Sequence, residues 1–537
     1  MGAAIAAIPA CATTPTGTLA TLPNRQGPLT GAVGPMSAPG GPFLDDRFGR
    51  SVLLHGADLV YKVPPYEVVV QGRGPNVLTD PEAQRMATLG FDTVRLGIIW
   101  KGLEPGTAPS NDPSICAPGT PSASPDSQFN ASVFDSYLSR LDATIALLAK
   151  HGIYSLLDMH QDVYNEAFAG EGAPDWAVCS DGFTPQPKRN VPDWSVNLKG
   201  PGVVQAYEHF WRNDVVGNLQ GAFDDIWAMV ASHYRNNPWV LGYDPFNEPY
   251  GQGLPPAGSG VAFDGELQCF YVGRAHAIVN QLGQPVTCPP NDPANGVISR
   301  IEDGDPVHLV FYEPNYTTDS SIPSELGPMP FPRLVLNTHD YCILHVPNGP
   351  ERSDFGTICG PLENATFTER NTERARDATL QQPGGPPLFL TEFGATTDAA
   401  DLARVTGDAD AHLDGWMYWQ WLHYADPTGS HTSGLWPPTR PTAAMLQVLS
   451  RPYATAVAGT PLSMSFDSTT DRFAFKYHSN PHITEPTVIF LPQLHYGGGY
   501  CTDVTGGHMR SVPGTEFLDV STTSSGDVSV TIRPGSC

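Results

Sequence analysis

Two stretches of this chain place a glutamate where a short apolar run stops. In Leu241-Gly242-Tyr243-Asp244-Pro245-Phe246-Asn247-Glu248-Pro249 the run enters Asn-Glu-Pro, and in Leu388-Phe389-Leu390-Thr391-Glu392-Phe393-Gly394 it meets a glutamate and then a break. A buried strand that surfaces in a carboxylate offers that group to a cleft. Two such carboxylates suit hydrolysis of a glycosidic bond, in which one carboxylic acid protonates the leaving oxygen and the other, ionised, attacks the anomeric carbon. Neighbouring carboxyls split their titrations, so one is expected to hold its proton while the other loses it. Retention of configuration predicts the two groups about 5–5.5 Å apart.

Other polar residues end apolar runs in the same way: His55 and Asp58, Arg95, Asp158 with His160 and Asp162, Glu313, His339 with Tyr341, and Trp419. Arg95 and Tyr341 supply a positive charge and a hydrogen-bond donor suited to the ionised glutamate. Asn247, beside Glu248, suits a bond to a sugar 2-hydroxyl, and Trp419 offers a flat face for a pyranose ring. No metal-binding motif is present, and this chemistry requires neither a metal nor another cofactor.

The elements that must carry these residues repeat along the chain. Apolar runs at Ser51–Gly56, Phe91–Leu96, Ile153–His160, the Asn-Glu-Pro stretch, Val307–Pro314, Leu334–Tyr341, Leu388–Glu392 and Gly415–Trp421 make eight candidate strands. Helical patterns lie between several of them, around Asp80–Leu89 (Thr79 as cap, Pro81 just inside), Phe134–Gly152 and Gly221–Tyr234. Eight buried parallel strands with crossovers predict an α/β fold, a (β/α)8 TIM barrel, whose active site sits at the carboxyl ends of its strands. Beyond Arg451-Pro452-Tyr453 the pattern alternates with period two, as in Arg472–Tyr477, Thr487–Leu491 and Asp527–Ile532, which predicts a C-terminal β-sandwich. The expected organisation is a signal remnant and linker over 1–42, a catalytic barrel over 43–453 and the sandwich over 454–537.

With 29 basic and 55 acidic residues the net charge is −26, which argues against nucleic acid as a partner. Nine cysteines without a CxxC pair point to disulfides and an exported protein, secreted or attached to the cell surface. Proximity pairs Cys269 with Cys288, Cys342 with Cys359, Cys501 with Cys537 and Cys116 with Cys179, although spacing alone does not fix connectivity. Cys11, after the short apolar run Ala3–Ala10, is either a lipidated cysteine of a lipoprotein signal or a free one behind a plain signal. The sequence leaves the oligomeric state open.

Asn247-Glu248-Pro249 and Thr391-Glu392-Phe393-Gly394, with Arg95, His339, Tyr341 and Trp419, resemble the active-site motifs of glycoside hydrolase family 5, in clan A. Three further stretches resemble its endoglycoceramidase branch: Val60-Tyr61-Lys62, Leu157-Asp158-Met159-His160-Gln161-Asp162-Val163-Tyr164, and Arg451 to Pro461. The resemblance implies cleavage between the glycan and the ceramide of a glycosphingolipid, presented at a membrane or micelle surface. It makes Glu248 the acid/base and Glu392 the nucleophile, with Lys62, Asp158, His160 and Asp162 on the first sugar. The loop Tyr61-Lys62-Val63-Pro64-Pro65-Tyr66 is bulkier than the version in glucosylceramide-series enzymes, and Glu313 stands where a neutral residue is expected; both bear on sugar choice and leave a galactosylceramide-type (6-gala) substrate open. The rival readings are a family 5 endo-β-glucanase acting on polysaccharide and a non-catalytic carbohydrate-binding barrel.

Overall fold

A computed structural model describes residues 34–122, 127–187, 194–251, 260–320, 322–341, 355–380, 385–428, 435, 442–512 and 514–537. Cys11 and Cys342, singled out above, lie outside the described residues.

Eight parallel strands close on themselves in sequence order: His55–Leu59, Thr93–Ile98, Tyr154–Met159, Val240–Asp244, Leu309–Tyr312, Leu334–Asp340, Leu388–Gly394 and Gly415–Trp419. Every residue of these strands is buried, because the barrel interior covers one face and the helical layer the other; hence the near-continuous apolar runs in the sequence. A register shift between Thr338 and His339 aligns His339 with Glu392 on the neighbouring strand.

The helices fall where capping chemistry sets them. Asp80–Leu89 begins at Thr79, whose backbone N–H donates to Glu82 Oε2 at 2.7 Å, and ends at Gly90 in the left-handed region (φ 93°). A side chain at position 90 would also strike the ring of Phe490. The expected helix over 134–152 spans Ala131–Lys150, started by Asn130, whose side chain accepts from the N–H groups of Ser132 and Val133. Leu219–Tyr234 matches the third expected helix. A further helix, Pro201–Arg212, was not expected; it buries Tyr207, Phe210 and Trp211, and the Tyr207 hydroxyl donates to Gln161 Oε1 at 2.6 Å.

The C-terminal region forms two antiparallel sheets. One orders its strands Leu44–Asp45, Ser51–Val52, Tyr453–Val457, Thr487–Phe490, Phe517–Ser521 and His508–Met509; the other runs Gly459–Asp467, Arg472–Ser479, Gly526–Pro534 and Tyr500–Thr505. Their shared interior holds Phe473, Phe475, Tyr477, Ile489, Leu518, Val528 and Val530. One expectation is corrected here. The apolar run Ser51–Gly56 is not a single barrel strand: Ser51–Val52 pairs with Tyr453–Val457, and the barrel strand begins only at His55. The chain changes sheets at Leu53 and Leu54, where the Leu53 N–H donates to Thr455 O and the Leu54 carbonyl accepts from the Trp416 N–H.

Disulfides link Cys116 to Cys179, Cys269 to Cys288 and Cys501 to Cys537. Among the described residues no helix is long and apolar enough to cross a membrane.

Candidate active site

Arg95, on the second barrel strand and fully buried, ties the carboxyl ends of the strands together. Its Nη1 lies 2.9 Å from Glu392 Oε2 and its Nε 3.0 Å from Asp244 Oδ2. Its Nη2 donates to Asp158 Oδ1 (3.0 Å), Asp244 Oδ2 (2.9 Å), Asn247 Oδ1 (2.8 Å) and Glu313 Oε1 (3.0 Å). Asp58 stands 3.7 Å from Nη1. A guanidinium suits this position because its planar fork serves several acceptors at once and keeps its charge when buried. Burial opposes that charge, but Asp158, Asp244, Glu313 and Glu392 outweigh it.

His339, on the sixth strand, sits between the acids. Its Nδ1 lies 3.0 Å from Glu248 Oε1 and 3.9 Å from Glu392 Oε2, and its Nε2 lies 3.2 Å from Glu313 Oε1. Burial favours the neutral ring, yet Glu313, Glu392 and Glu248 together hold His339 well above its ordinary value, as the imidazolium.

Glu248 and Glu392 bring their nearest carboxylate oxygens within 4.8 Å of each other. That is the close spacing of a retaining pair, whereas an inverting pair leaves room for water at about 6.5–9.5 Å. Burial raises both carboxyls, and the negative charge of Glu392 raises Glu248 further. The opposing influences differ. Glu392 has His339, Arg95, the Tyr341 hydroxyl (2.6 Å to Oε1) and Lys62, whereas Glu248 has chiefly His339, with the charges of Glu392 and Glu313 against it. The environment therefore favours the anion at Glu392 and the proton at Glu248.

Glu248 adopts a left-handed backbone conformation (φ 43°), uncommon outside glycine. Glu313 Oε2 fixes it by accepting the Glu248 N–H at 2.7 Å. From the other side Gln161 Nε2 donates to the carbonyls of Asn247 (2.9 Å) and Glu248 (3.3 Å), and Asn247 Nδ2 returns a bond to Gln161 O at 2.9 Å. Glu313 was expected among the sugar contacts. Its oxygens are instead engaged by the Glu248 N–H, Arg95 and Asn337, and His339 and Arg95 hold its carboxyl below the usual range against the effect of burial.

A second cluster lines the adjoining wall. Lys62 Nζ contacts Asp162 Oδ2, lies 3.0 Å from Thr428 Oγ1 and 3.8 Å from Asp426 Oδ2, and sits 4.3 Å from the ring centroid of Trp419. Burial alone would strip its proton, but the charges of Asp162 and Asp426 outweigh that effect. His160 stacks on Trp419 at 5.2 Å and is tied through Nδ1 to Asp158 Oδ2 at 2.8 Å; Asp158 itself is pushed up to about 7 by burial. In both groups of carboxylates and histidines a protein cation already stands among the acids.

Thirteen residues expected at the site thus meet at one end of the barrel: Asp58, Lys62, Arg95, Asp158, His160, Asp162, Asn247, Glu248, Glu313, His339, Tyr341, Glu392 and Trp419. His55 does not join them. It opens its strand rather than closing it, and stacks between Trp416 (4.3 Å) and Tyr453 (3.8 Å) at the opposite end. Several participants were missed: Gln161, Asp244, Asn337, Asp426, Thr428 and Glu171. Gln161 carried a signal, lying between two polar residues at a strand end; Asp426 and Thr428 lie on a loop whose course the sequence does not reveal.

A closed parallel barrel with two close glutamates at the carboxyl ends of its fourth and seventh strands, braced by arginine, histidine and tyrosine, defines a glycosidase of the two-carboxylate class. The sequence matches the Cellulase (glycosyl hydrolase family 5) family over residues 70–425 and the Glycoside hydrolase family 5 C-terminal domain over 451–533. The chain belongs to glycoside hydrolase family 5 and is endoglycoceramidase-like. It is 30% identical to Endoglycoceramidase I of Rhodococcus hoagii (92% of this chain, 88% of that protein) and 28% identical to the Endoglycoceramidase of Cyanea nozakii (86% and 85%). Among solved structures it resembles Endo-glycoceramidase II from Rhodococcus sp. in complex with ganglioside GM3, with a TM-score of 0.70, 26% identity, and coverage of 92% of this chain and 100% of that one.

Proposed function

We propose that this protein hydrolyses the β-glycosidic bond between the oligosaccharide and the ceramide of glycosphingolipids, with retention, releasing intact glycan and ceramide. For the chemistry, the carrying observation is the Glu248–Glu392 pair within 4.8 Å, with its donors distributed unequally. Similarity to endoglycoceramidases along about nine-tenths of the chain supports the substrate class.

The reaction proceeds in two displacements. Glu392, held by Arg95 and Tyr341, attacks the anomeric carbon while Glu248 gives its proton to the ceramide oxygen, so the C–O bond breaks and a glycosyl ester forms on Glu392. Glu248, now a carboxylate beside His339, takes a proton from water. That water attacks the same carbon, and the ester opens to free glycan and the Glu392 carboxylate. Lys62, His160, Asp162 and Trp419 grip the first sugar, and Asn247 faces its 2-hydroxyl. Access to the substrate requires contact with a membrane or micelle surface. Three disulfides support export, secreted or bound to the cell surface, which fractionation of the producing cells tests.

The test is to incubate the protein with lactosylceramide, galactosylceramide and carboxymethylcellulose and identify the products. Free ceramide with intact glycan supports the reading, and the preferred lipid decides between glucose- and galactose-linked series. Soluble cello-oligosaccharides alone would establish the endo-β-glucanase instead. Glu392→Gln should abolish turnover with the fold retained; surviving activity would mean the nucleophile lies elsewhere.

A further inference from the structure

Glu171 is a fully buried carboxyl to which the mechanism above gives no part. A two-way backbone bridge sets it beside Asp162: the Asp162 N–H donates to Glu171 O at 3.1 Å and the Glu171 N–H to Asp162 O at 2.8 Å. The residue is 0% exposed, and neither of its carboxylate oxygens meets a hydrogen-bond donor. One oxygen of Glu171, one of Asp162 and His160 Nε2 lie within 4.8 Å of one another, with Nε2 4.0 Å from each carboxylate oxygen.

All three of these atoms are acceptors unless a proton lies among them. His160 directs its Nδ1 at the Asp158 carboxylate, and burial together with the nearby Lys62 charge keeps its ring neutral, so Nε2 presents a lone pair. Asp162 already accepts from Lys62 and Thr428. Glu171 has no such partner. Acceptors facing one another without a hydrogen, away from water, form one of the costliest arrangements in a protein interior. The cluster's proton belongs on Glu171.

We propose that Glu171 is a positioning residue that braces the Asp162–Lys62 pair by donating a hydrogen bond from its carboxylic acid to Asp162. Asp162, held from one side by that bond and from the other by Thr428, keeps the Lys62 ammonium over the Trp419 ring. The groups facing Glu171 agree with a neutral acid: burial and the charges of Asp162 and Asp426 favour the proton and Lys62 opposes it, while the His160 ring and the hydroxyls of Tyr66 and Tyr424 are neutral. Ionisation of Glu171 would set a second anion beside Asp162 and divide the attraction on Lys62, loosening its hold on the sugar. The role rests on the reading that Lys62 and Asp162 grip the first sugar.

The test compares Glu171→Gln, a neutral isostere that keeps a donor, with Glu171→Leu, which keeps bulk and loses it. On lactosylceramide in detergent micelles, E171L should raise KM about tenfold or more, while E171Q retains most of the affinity and loses the rise in KM that the wild type shows as pH increases. A purely space-filling residue would leave the pH profile of KM unaltered in E171Q, and equal KM values for the two variants would also overturn the proposal. If E171L does not fold, E171Q and infrared difference spectra decide: wild type minus E171Q should show the carbonyl stretch of a protonated carboxylic acid, and a carboxylate band instead would overturn it. The spectrum needs no substrate. A wild type that cleaves no glycosphingolipid would therefore sink the functional reading while the proton on Glu171 is still decided.

Discussion

Replacing Tyr341 with phenylalanine removes one atom from the site and one defined interaction, the 2.6 Å bond from the phenolic hydroxyl to Glu392 Oε1. A hydrogen bond to a charged group contributes about 1.5–3 kcal/mol, and one pKa unit corresponds to about 1.36 kcal/mol. If the bond serves the ionised carboxylate, its loss should raise the Glu392 titration by about one to two units. The sign follows from the chemistry: the nucleophile must be ionised, so its protonation sets the acid limb of kcat/KM, and an anion that has lost a donor takes up its proton at higher pH.

The limb is a better measure than the plateau. On attack Glu392 becomes a neutral ester, so the tyrosine bond weakens in the transition state; removing it leaves a more basic nucleophile that partly offsets the lost orientation. The alkaline limb reports proton loss from Glu248 with Glu392 already ionised, and should stay in place. The expected result for Tyr341→Phe is a bell-shaped profile narrowed from the acid side only. An unmoved acid limb, or a shift of both limbs together, would refute the assignment of Glu392 as the anion stabilised by Tyr341.

Lys62→Met leaves Asp162 and Asp426 buried without their cation, so it should lower stability by about 3–5 kcal/mol in urea unfolding and raise KM for the glycolipid more than it lowers kcat. Glu104 is pushed from 4.5 up to about 8 by burial, against one bond from Trp100 Nε1. The native state keeps this proton where the unfolded chain releases it, so stability is undiminished below the unfolded value, falls as pH rises toward about 8, and levels off above. Glu104→Gln should flatten that decline, a difference on the order of several kcal/mol at alkaline pH, read as melting temperature against pH. Replacing Cys501 and Cys537 with serine opens a link across 36 residues at the edge of the four-stranded sheet, and should cost about 2–4 kcal/mol in unfolding while leaving kcat unchanged.

The eight barrel strands were legible because parallel strands covered on both faces must be apolar throughout. The catalytic glutamates were legible because a carboxylate that ends such a run emerges at the rim of the barrel, where its charge can meet a ligand. Where one run served two sheets, the pattern was silent. Ser51–Gly56 is continuous in sequence, and both sheets bury it, so no change in composition marks the turn at Leu53 and Leu54. The misplacement of His55 has the same origin, since moving the start of the strand reverses the end of the barrel at which the residue lies. Arg95 was expected beside one carboxylate and serves five carboxyl or amide partners, a number set by convergence of the second, third, fourth, fifth and seventh strands and by no local spacing. Glu171 is invisible in sequence for a similar reason: a glutamate in a loop of glycine and alanine reads as solvated until a backbone bridge turns it inward.

The C-terminal sheets are part of the same physical problem as the active site. A barrel whose carboxyl end holds charge must close its other end with apolar matter, and the side chains that fill that end, Leu54, Leu156, Leu241, Phe311, Val335 and Phe389, pack in one cluster with Leu44 and Val52 of the N-terminal hairpin and Ala456 and Val488 of the C-terminal sheet. The Tyr453 hydroxyl reaches back to Asp92 Oδ2 (2.8 Å), whose other oxygen accepts the His55 N–H (3.0 Å), so the start of the first barrel strand is fixed from the C-terminal side. The six-stranded sheet acts as the floor of the barrel. That floor keeps water from the lower barrel and lets the upper end concentrate Arg95, His339 and their acids in a medium where a hydrogen bond or a shared proton carries more weight than in water.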